Sequence, residues 1–436
     1  EKDTLNKVEF SKNLSEFDID KFTLSHNNEK IELLGKLKDS TYKDIKLNFK
    51  DVDLEKITPR LDSLRFAGNV NGKLDILQQN GVYLPNSLIT IDDLKVNDTE
   101  LGSFKANIKG NESLTNYNVD VTIKDEAVPS FRAVGDINVA GASSSINVAV
   151  DLNNFNLSPL NPLGEDVINH IRGFTTGKIA VTGSLKAPDI DGRLRLNQAG
   201  LSIPYLNVDL EFEDNSRVSL TQQQFNLNNV NIYDTTFNSE GIISGAISHT
   251  NFSNWNLDLD ISTQRLLVLN TEETDDALYY GTGFIGGIAS ISGPTNNLFI
   301  EVDAETKAGT DFKIPLNDSE SFGDNTFIKF LSPEQKQARI DGEEIQLEEI
   351  SGLELFFDLD ITKDAQIELV LDKDSGSKIR GRGEGAILMD INTNGKFNIY
   401  GDISVFEGQY DFFYKGLVQK EFKVQPGGTL SWDGDP

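Results

Sequence analysis

The stretch GTGFIG at residues 281–286 has the spacing G-x-G-x-x-G, which in dinucleotide-binding proteins cradles a pyrophosphate. That chemistry needs a glycine loop that follows a strand and opens a helix, whose N-terminus then faces the anion. Here the next residues, GIASIS, alternate in character as a strand does. We therefore interpret these glycines as part of a sheet and expect no nucleotide site.

The other residues that could bind a metal or act in catalysis are equally isolated in the sequence. His26, His170 and His249 have no acidic or histidine neighbour at the spacing of a metal site or a catalytic triad. Two acidic runs, 271–277 and 341–349, lack the spacing of a calcium loop and are interpreted as solvated loops. Absence of cysteine excludes disulfides, thiolate zinc sites and thiol nucleophiles. The sequence thus predicts a protein that is not an enzyme, with no metal and no cofactor.

Charge and composition narrow the possible partners. The net charge of −29 across 436 residues excludes the basic footprint of a nucleic-acid-binding protein. No stretch approaches the roughly 18 apolar residues of a membrane helix. The chain begins at Glu1 and its only methionine is Met389, so we expect it to be an excised segment of a longer protein.

The dominant pattern is an alternation of apolar and polar residues with period two. It is clearest in the ranges 117–123, 146–152, 206–212, 255–261, 353–361 and 367–371. Successive side chains of a strand point to opposite faces, so each of these strands has one apolar face and one face of Asp, Glu and Asn. The pattern predicts an antiparallel-type sheet with one wet side.

Pairs of glycines four residues apart recur about every 100 residues and define imperfect repeats. They are interpreted as structural turns or corners of the sheet: Gly68 and Gly72, Gly173 and Gly177, Gly283 and Gly287, Gly381 and Gly385. We expect one continuous repetitive segment over 1–436, with repeats around 45–145, 146–254, 255–352 and 353–436.

Short helices and a bulge interrupt this pattern. Residues 58–66 and 161–173 each begin with a capping residue, Thr58 or Asn161, followed by proline, which predicts a helix start. Gly173 would end the second helix. A bulge that changes the inward parity is expected between Phe49 and Val52.

These predicted helices are too few to cover the apolar faces of the strands. One solution is a sheet curled lengthwise into a trough whose apolar inside holds something apolar. Acyl chains are suitable, because each buried CH₂ contributes about 0.8 kcal/mol without directional contacts. The residues predicted to line this groove are Tyr117, Val119, Val121, Ile146, Val148, Val150, Leu206, Val208, Leu210, Phe212, Trp255, Leu257, Leu259, Leu353, Leu355, Phe357, Leu359, Ile361, Ile367, Leu369, Phe397 and Ile399.

The C-terminal residues 395–436 add a family resemblance. Their GKFNIYG strand, followed by EGQYDF, KEFKV and GGTLSWDGDP, resembles the C-terminal region of the TamB family of bacterial envelope proteins. Residues 177–214 also look like the glycine-punctuated units of this family or of its AsmA-like relatives.

The resemblance implies a long groove-shaped sheet, often called a β-taco, that crosses the periplasm. The full-length protein would be anchored in the inner membrane and would reach a TamA- or BamA-type outer-membrane barrel through residues beyond Pro436. The implied function is to conduct phospholipid toward the outer membrane, and the family offers no catalytic residues to carry over. The alternative is a chaperone-like groove that pairs with strands of nascent outer-membrane proteins. A third hypothesis, a surface adhesin or scaffold, would require closed sandwiches.

Overall fold

A computed structural model describes residues 6–13, 15–39, 42–58, 65–79, 82–124, 128–141, 144–164, 168–250, 253–274, 277–316, 352–372, 375–392, 396–414 and 418–434. Strand accounts for 80% of the structure and helix for 4%. The strands are β1 Lys7–Phe10, β2 Glu16–His26, β3 Glu29–Lys38, β4 Tyr42–Asp53, β5 Phe66–Gln79, β6 Val82–Val96, β7 Thr99–Gly110, β8 Asn116–Lys124, β9 Pro129–Asn138, β10 Ser145–Asn156, β11 Asn169–Ser184, β12 Ala187–Ile203, β13 Val208–Phe212, β14 Ser216–Gln222, β15 Gln224–Asp234, β16 Glu240–Thr250, β17 Ser253–Thr271, β18 Tyr280–Pro294, β19 Asn297–Thr306, β20 Asp311–Pro315, β21 Gly352–Ile361, β22 Gln366–Asp372, β23 Ser377–Asn392, β24 Phe397–Tyr414, β25 Val418–Val424 and β26 Gly428–Gly434. The predicted all-β class is confirmed.

By its contacts the chain divides into two compact units. Unit 1 comprises residues 1–202, 209–233 and 242–259, and unit 2 comprises 203–208, 234–241 and 260–436. The repeat boundaries proposed from the glycine pairs stay a prediction.

Unit 1 contains a run of antiparallel strands from β2 to β12. Each strand from β2 to β11 pairs with the next one along the chain. Such local pairing follows from the short turns between strands. The expected bulge is confirmed, since the register of β4 against β5 shifts between Phe49 and Val52. Val52 is buried beyond that shift, in a cluster with Leu54, Val70 and Ile91.

Unit 2 contains two parallel pairings, which the sequence did not predict. β19 runs parallel to β21, with Ile300 opposite Leu355, and β20 runs parallel to β22, with Ile314 opposite Leu369. The other strand pairs of unit 2 with a known register are antiparallel. They are β18 with β19 and β20, β23 with β21, β22 and β24, and β24 with β25 and β26. Residues 316–351 connect β20 to β21, and they exceed the dozen or so residues that a parallel crossover needs.

The eight paired glycines lie inside strands rather than in turns, in β5, β11, β18 and β23. At Gly385 a Cβ atom would overlap the carbonyl oxygen of Asp402 on the neighbouring strand β24. Glycine therefore permits a close approach of two backbones in mid-strand, which allows a long strand to bend with a coiled sheet. The glycines predicted to form turns or corners therefore lie in mid-strand.

The helix prediction for 161–173 is wrong. A 3₁₀ helix covers Ser158–Gly164, and β11 has already begun at Asn169. Gly173 is a strand residue at a register shift, with φ of 92°. Cross-strand pairing with β12 overrides the local helix signal.

The helix predicted over 58–66 is also displaced. Helix α1 spans Leu54–Ile57, and Thr58 caps its C-terminus instead of starting a helix. Residues 59–64 lie outside the described residues.

Candidate apolar ligand site

An apolar cavity of about 90 Å³ lies on the inner face of the unit 2 sheet, the face to which Phe357, Leu359 and Ile361 belong. Its lining residues come from β17 to β24, from β26, from the turn at Pro204–Leu206 and from the connecting residues Tyr279, Thr310 and Ala365. They are Leu206, Val268, Leu269, Tyr279, Gly283, Phe284, Ile285, Thr306, Thr310, Phe312, Ile314, Phe357, Leu359, Ile361, Ala365, Ile367, Ile387, Met389, Ile391, Ile399, Ile403 and Trp432.

The few polar groups in the wall are already engaged by the protein. The hydroxyl of Thr310 lies 2.8 Å from the carbonyl oxygen of Lys307 and 3.0 Å from that of Phe284. The hydroxyl of Thr306 accepts the backbone N–H of Thr362 at 2.9 Å. A ligand here would therefore gain contact with hydrocarbon surface rather than hydrogen bonds.

The sheet of unit 2 curls strongly around this cavity. The ring of Tyr279, just before β18, lies 5.2 Å from the ring of Phe397 at the start of β24. By register, Tyr279 lies in the row of Ile314, Leu369, Ile379 and Tyr410. In a flat sheet, four strand steps and the run from Tyr410 to Phe397 would separate the two rings by roughly 45 Å. The ring contact shows that distant corners of the sheet fold over its inner face.

The two faces of the sheet differ in polarity as expected. Along β19 every second residue is buried and the others are exposed. On β21, Leu353 and Leu355 are buried while Glu354 and Asp358 are exposed. The alternation places apolar side chains around the cavity and carboxylates in water.

Six of the residues predicted for the groove meet at this cavity: Leu206, Phe357, Leu359, Ile361, Ile367 and Ile399. Leu206 belongs to a 3₁₀ turn, Pro204–Leu206, and not to the predicted strand. Five more unit 2 candidates are buried without lining the cavity, namely Val208, Leu353, Leu355, Leu369 and Phe397.

The candidates in unit 1 form other groups. Val119 and Val148 form the centre of an apolar cluster that also contains Val121, Ile146 and Val150. Tyr117, on the same strand β8, is half-buried. Leu210, Leu257 and Leu259 are buried, and the half-buried Trp255 packs on His249 and Phe225.

Phe212 lies in a polar pocket of unit 1 of about 600 Å³, together with Glu211, Glu213 and Asp214. Arg172 in the same pocket donates to Asp209 at 2.6 and 3.0 Å and to Glu211 at 3.0 Å. Phe212 thus has charged neighbours in this pocket, and its place in the groove stays a prediction.

Beside this pocket, Ser202, His170 and Asp209 lie close together. Ser202 donates to Asp209 at 2.5 Å, and His170 presents the same ring nitrogen, Nδ1, to both groups at 3.4–3.5 Å. A base-activated serine would instead donate to the histidine. Burial by itself would raise the pKa of Asp209, but hydrogen bonds from Ser202 and Arg172 outweigh it and lower that pKa. The cluster is a structural ion pair network.

Several cavity residues were missed in the sequence: Tyr279, Phe284, Phe312, Met389 and Trp432. Phe284 is 2% exposed, and the guanidinium of Arg265 lies 3.7 Å from the centre of its ring. β18 carries consecutive buried residues from Gly283 to Gly286, so alternation alone could not reveal Phe284.

Of the residues first examined for chemistry, the GTGFIG stretch contributes Gly283, Phe284 and Ile285 to the cavity wall but forms no nucleotide loop. GTGFIG lies within β18, which continues as a strand to Pro294, so the dinucleotide loop is excluded. Across the described ranges, no group of three or more His, Asp or Glu side chains is positioned to hold a metal ion. The acidic run 341–349 lies outside the described residues.

Comparison with known proteins gives one family. The model of the TamB C-terminal domain matches residues 230–436, which include most of unit 2. No curated protein and no solved structure matches the chain. Among the residues that the structure describes, no helix combines the length and the apolarity of a membrane span.

Proposed function

Since the chain belongs to the TamB family of envelope proteins, we propose that it is a non-catalytic, periplasmic bridge segment that binds and conducts phospholipid acyl chains. At the level of the family, its role lies in the translocation and assembly module and in lipid transport of the envelope. The finer proposal is that acyl chains pass between the inner and the outer membrane along the apolar face of the sheet.

The observation that carries this proposal is the apolar cavity of unit 2. Engineered cavities of about 150 Å³ with Leu, Ile and Phe walls stay dry and bind small hydrocarbons. The present cavity, at about 90 Å³, has the same kind of wall and space for a short stretch of one alkyl chain. At about 0.8 kcal/mol per buried CH₂, a stretch of four or five methylenes would gain roughly 3–4 kcal/mol.

A local site of this strength suits conduction better than storage. Contacts between methylene groups and Leu, Ile or Phe side chains have no preferred register along the chain. An acyl chain could therefore slide past Phe357 and Ile399 without breaking hydrogen bonds.

This function predicts that phospholipid co-purifies with the protein. Lipid extracted from the purified full chain and quantified by mass spectrometry should contain phospholipid at a sizeable fraction of one molecule per chain. An acidic protein of similar size purified in parallel controls for carry-over. Phospholipid at the level of that control would contradict the proposal.

The alternative function is pairing with strands of nascent outer-membrane proteins, in which an unpaired sheet edge would offer backbone donors and acceptors to an added strand. The partner that the family implies is a TamA- or BamA-type outer-membrane barrel.

A further inference from the structure

Tyr279 lines the apolar cavity and contacts two aromatic rings of its wall and rim. Its ring stacks on Phe312 of β20 at 5.6 Å and lies against Phe397 of β24 at 5.2 Å. β20 and β24 are separated in the sheet by β22 and β23. The ring therefore joins two walls of the curled sheet over the space between them.

A second element lies beside this ring. Tyr205, in the turn Pro204–Leu206, is a close neighbour of the Tyr279 phenol and raises its pKa. Asn207 follows the turn in the left-handed conformation and donates its side-chain N–H to the carbonyl oxygen of Asn270 at 2.5 Å. The turn is thus tied to the end of β17.

The phenol is also held in one protonation state. Burial raises the pKa of Tyr279 well above its ordinary value, and the neighbouring Tyr205 raises it further. The phenol of Tyr279 is neutral throughout the physiological range, as an ordinary tyrosine is.

We propose that Tyr279 is a specificity-determining residue, a bar that restricts the cavity to one unbranched alkyl chain and excludes rigid, ring-bearing apolar molecules. The inference rests on the proposed function, since it concerns what the same cavity accepts. With the ring in place the cavity offers about 90 Å³, and removal of the phenol would enlarge it. A flexible chain can thread past a fixed ring, whereas a fused-ring molecule needs the full width.

Two photoactivatable probes test this directly on the full chain: palmitic acid and cholesterol, each carrying a diazirine. Labelled peptides from β21 and β23 are quantified by mass spectrometry. The wild-type protein should be labelled by the fatty acid and poorly by the sterol. Tyr279→Ala should raise sterol labelling about tenfold and retain fatty-acid labelling, because size exclusion by an apolar pocket is worth about that much.

One further variant separates the ring from its hydroxyl, and a second serves as a control. Tyr279→Phe keeps the ring and should still exclude the sterol. Tyr400→Ala removes a tyrosine that is 42% exposed and contributes nothing to the cavity wall, so it should behave as wild type. If Tyr279→Ala does not fold, Tyr279→Leu replaces it, and sterol labelling should again rise.

The outcomes separate the role of Tyr279 from the proposed function of the protein. One outcome is that the fatty acid labels the wild type while Tyr279→Ala and Tyr279→Leu still exclude the sterol. This outcome overturns the role of Tyr279 and leaves the proposed function standing. No labelling by either probe in any variant overturns the proposed function, and this inference with it.

Discussion

Phe357→Asp is expected to weaken binding of a fluorescent phospholipid by the full chain by more than about tenfold, since an ionised carboxylate in an apolar cavity must keep its water. Phe357 lines the cavity between the buried Leu355 and Leu359 of β21. The bound acyl chain would then meet water and a charge where it now meets a ring. Titration of the labelled lipid into each variant provides the measurement.

The neighbouring residue supplies a matched control. Phe356 is also a half-buried phenylalanine of β21, but it lies on the opposite face, where its strand partners are Glu301 and Asp390. Phe356→Asp introduces the same side chain on the wet face and should leave lipid binding within about twofold of wild type. Equal loss in both variants would indicate a general effect on folding and would contradict a site on the inner face.

Gly385→Ala is expected to destabilise the protein by about 3 kcal/mol or more. The added Cβ would overlap the carbonyl oxygen of Asp402, and two hydrogen-bonded backbones would have to separate. Urea unfolding followed by Trp432 fluorescence in a Trp255→Phe background gives the free energy of unfolding of this part of the chain.

Gly376, just before β23, provides a control for the backbone strain that alanine itself introduces. The stability lost in Gly376→Ala can be subtracted from that lost in Gly385→Ala. It has φ of 78°, and no atom lies within 4 Å of a Cβ built there. Gly376→Ala should therefore cost only the strain of a positive φ, about 1 kcal/mol. A Gly385→Ala protein as stable as Gly376→Ala would show that close backbone approach is not what requires glycine in these strands.

The strands could be predicted because their signal is local. In the range 353–361, each apolar residue is followed by a polar or outward-facing one, and β21 spans Gly352–Ile361. One buried face of a sheet imposes this period on any sequence that forms it. Five of the predicted groove residues accordingly reach one cavity from their strands, and Leu206 reaches it from a 3₁₀ turn.

The path of the chain through space could not be predicted from alternation. The parallel pairing of β19 with β21 depends on a connection of many residues and has no periodic signature. Tyr279 follows no alternating run, and it reaches the cavity only because the sheet curls until Tyr279 meets Phe397. Helix caps such as Asn161 were misleading, since pairing of β11 with β12 outweighed them.

The proposal that the inner face carries lipid is tested most directly by a photo-crosslinking amino acid placed at position 357 in cells, and in parallel at position 356. Mass spectrometry of the purified protein then identifies what each position contacts. Adducts with the mass of phospholipid are expected at position 357 and none at position 356. Adducts with outer-membrane proteins at position 357, or equal lipid adducts at both positions, would contradict it.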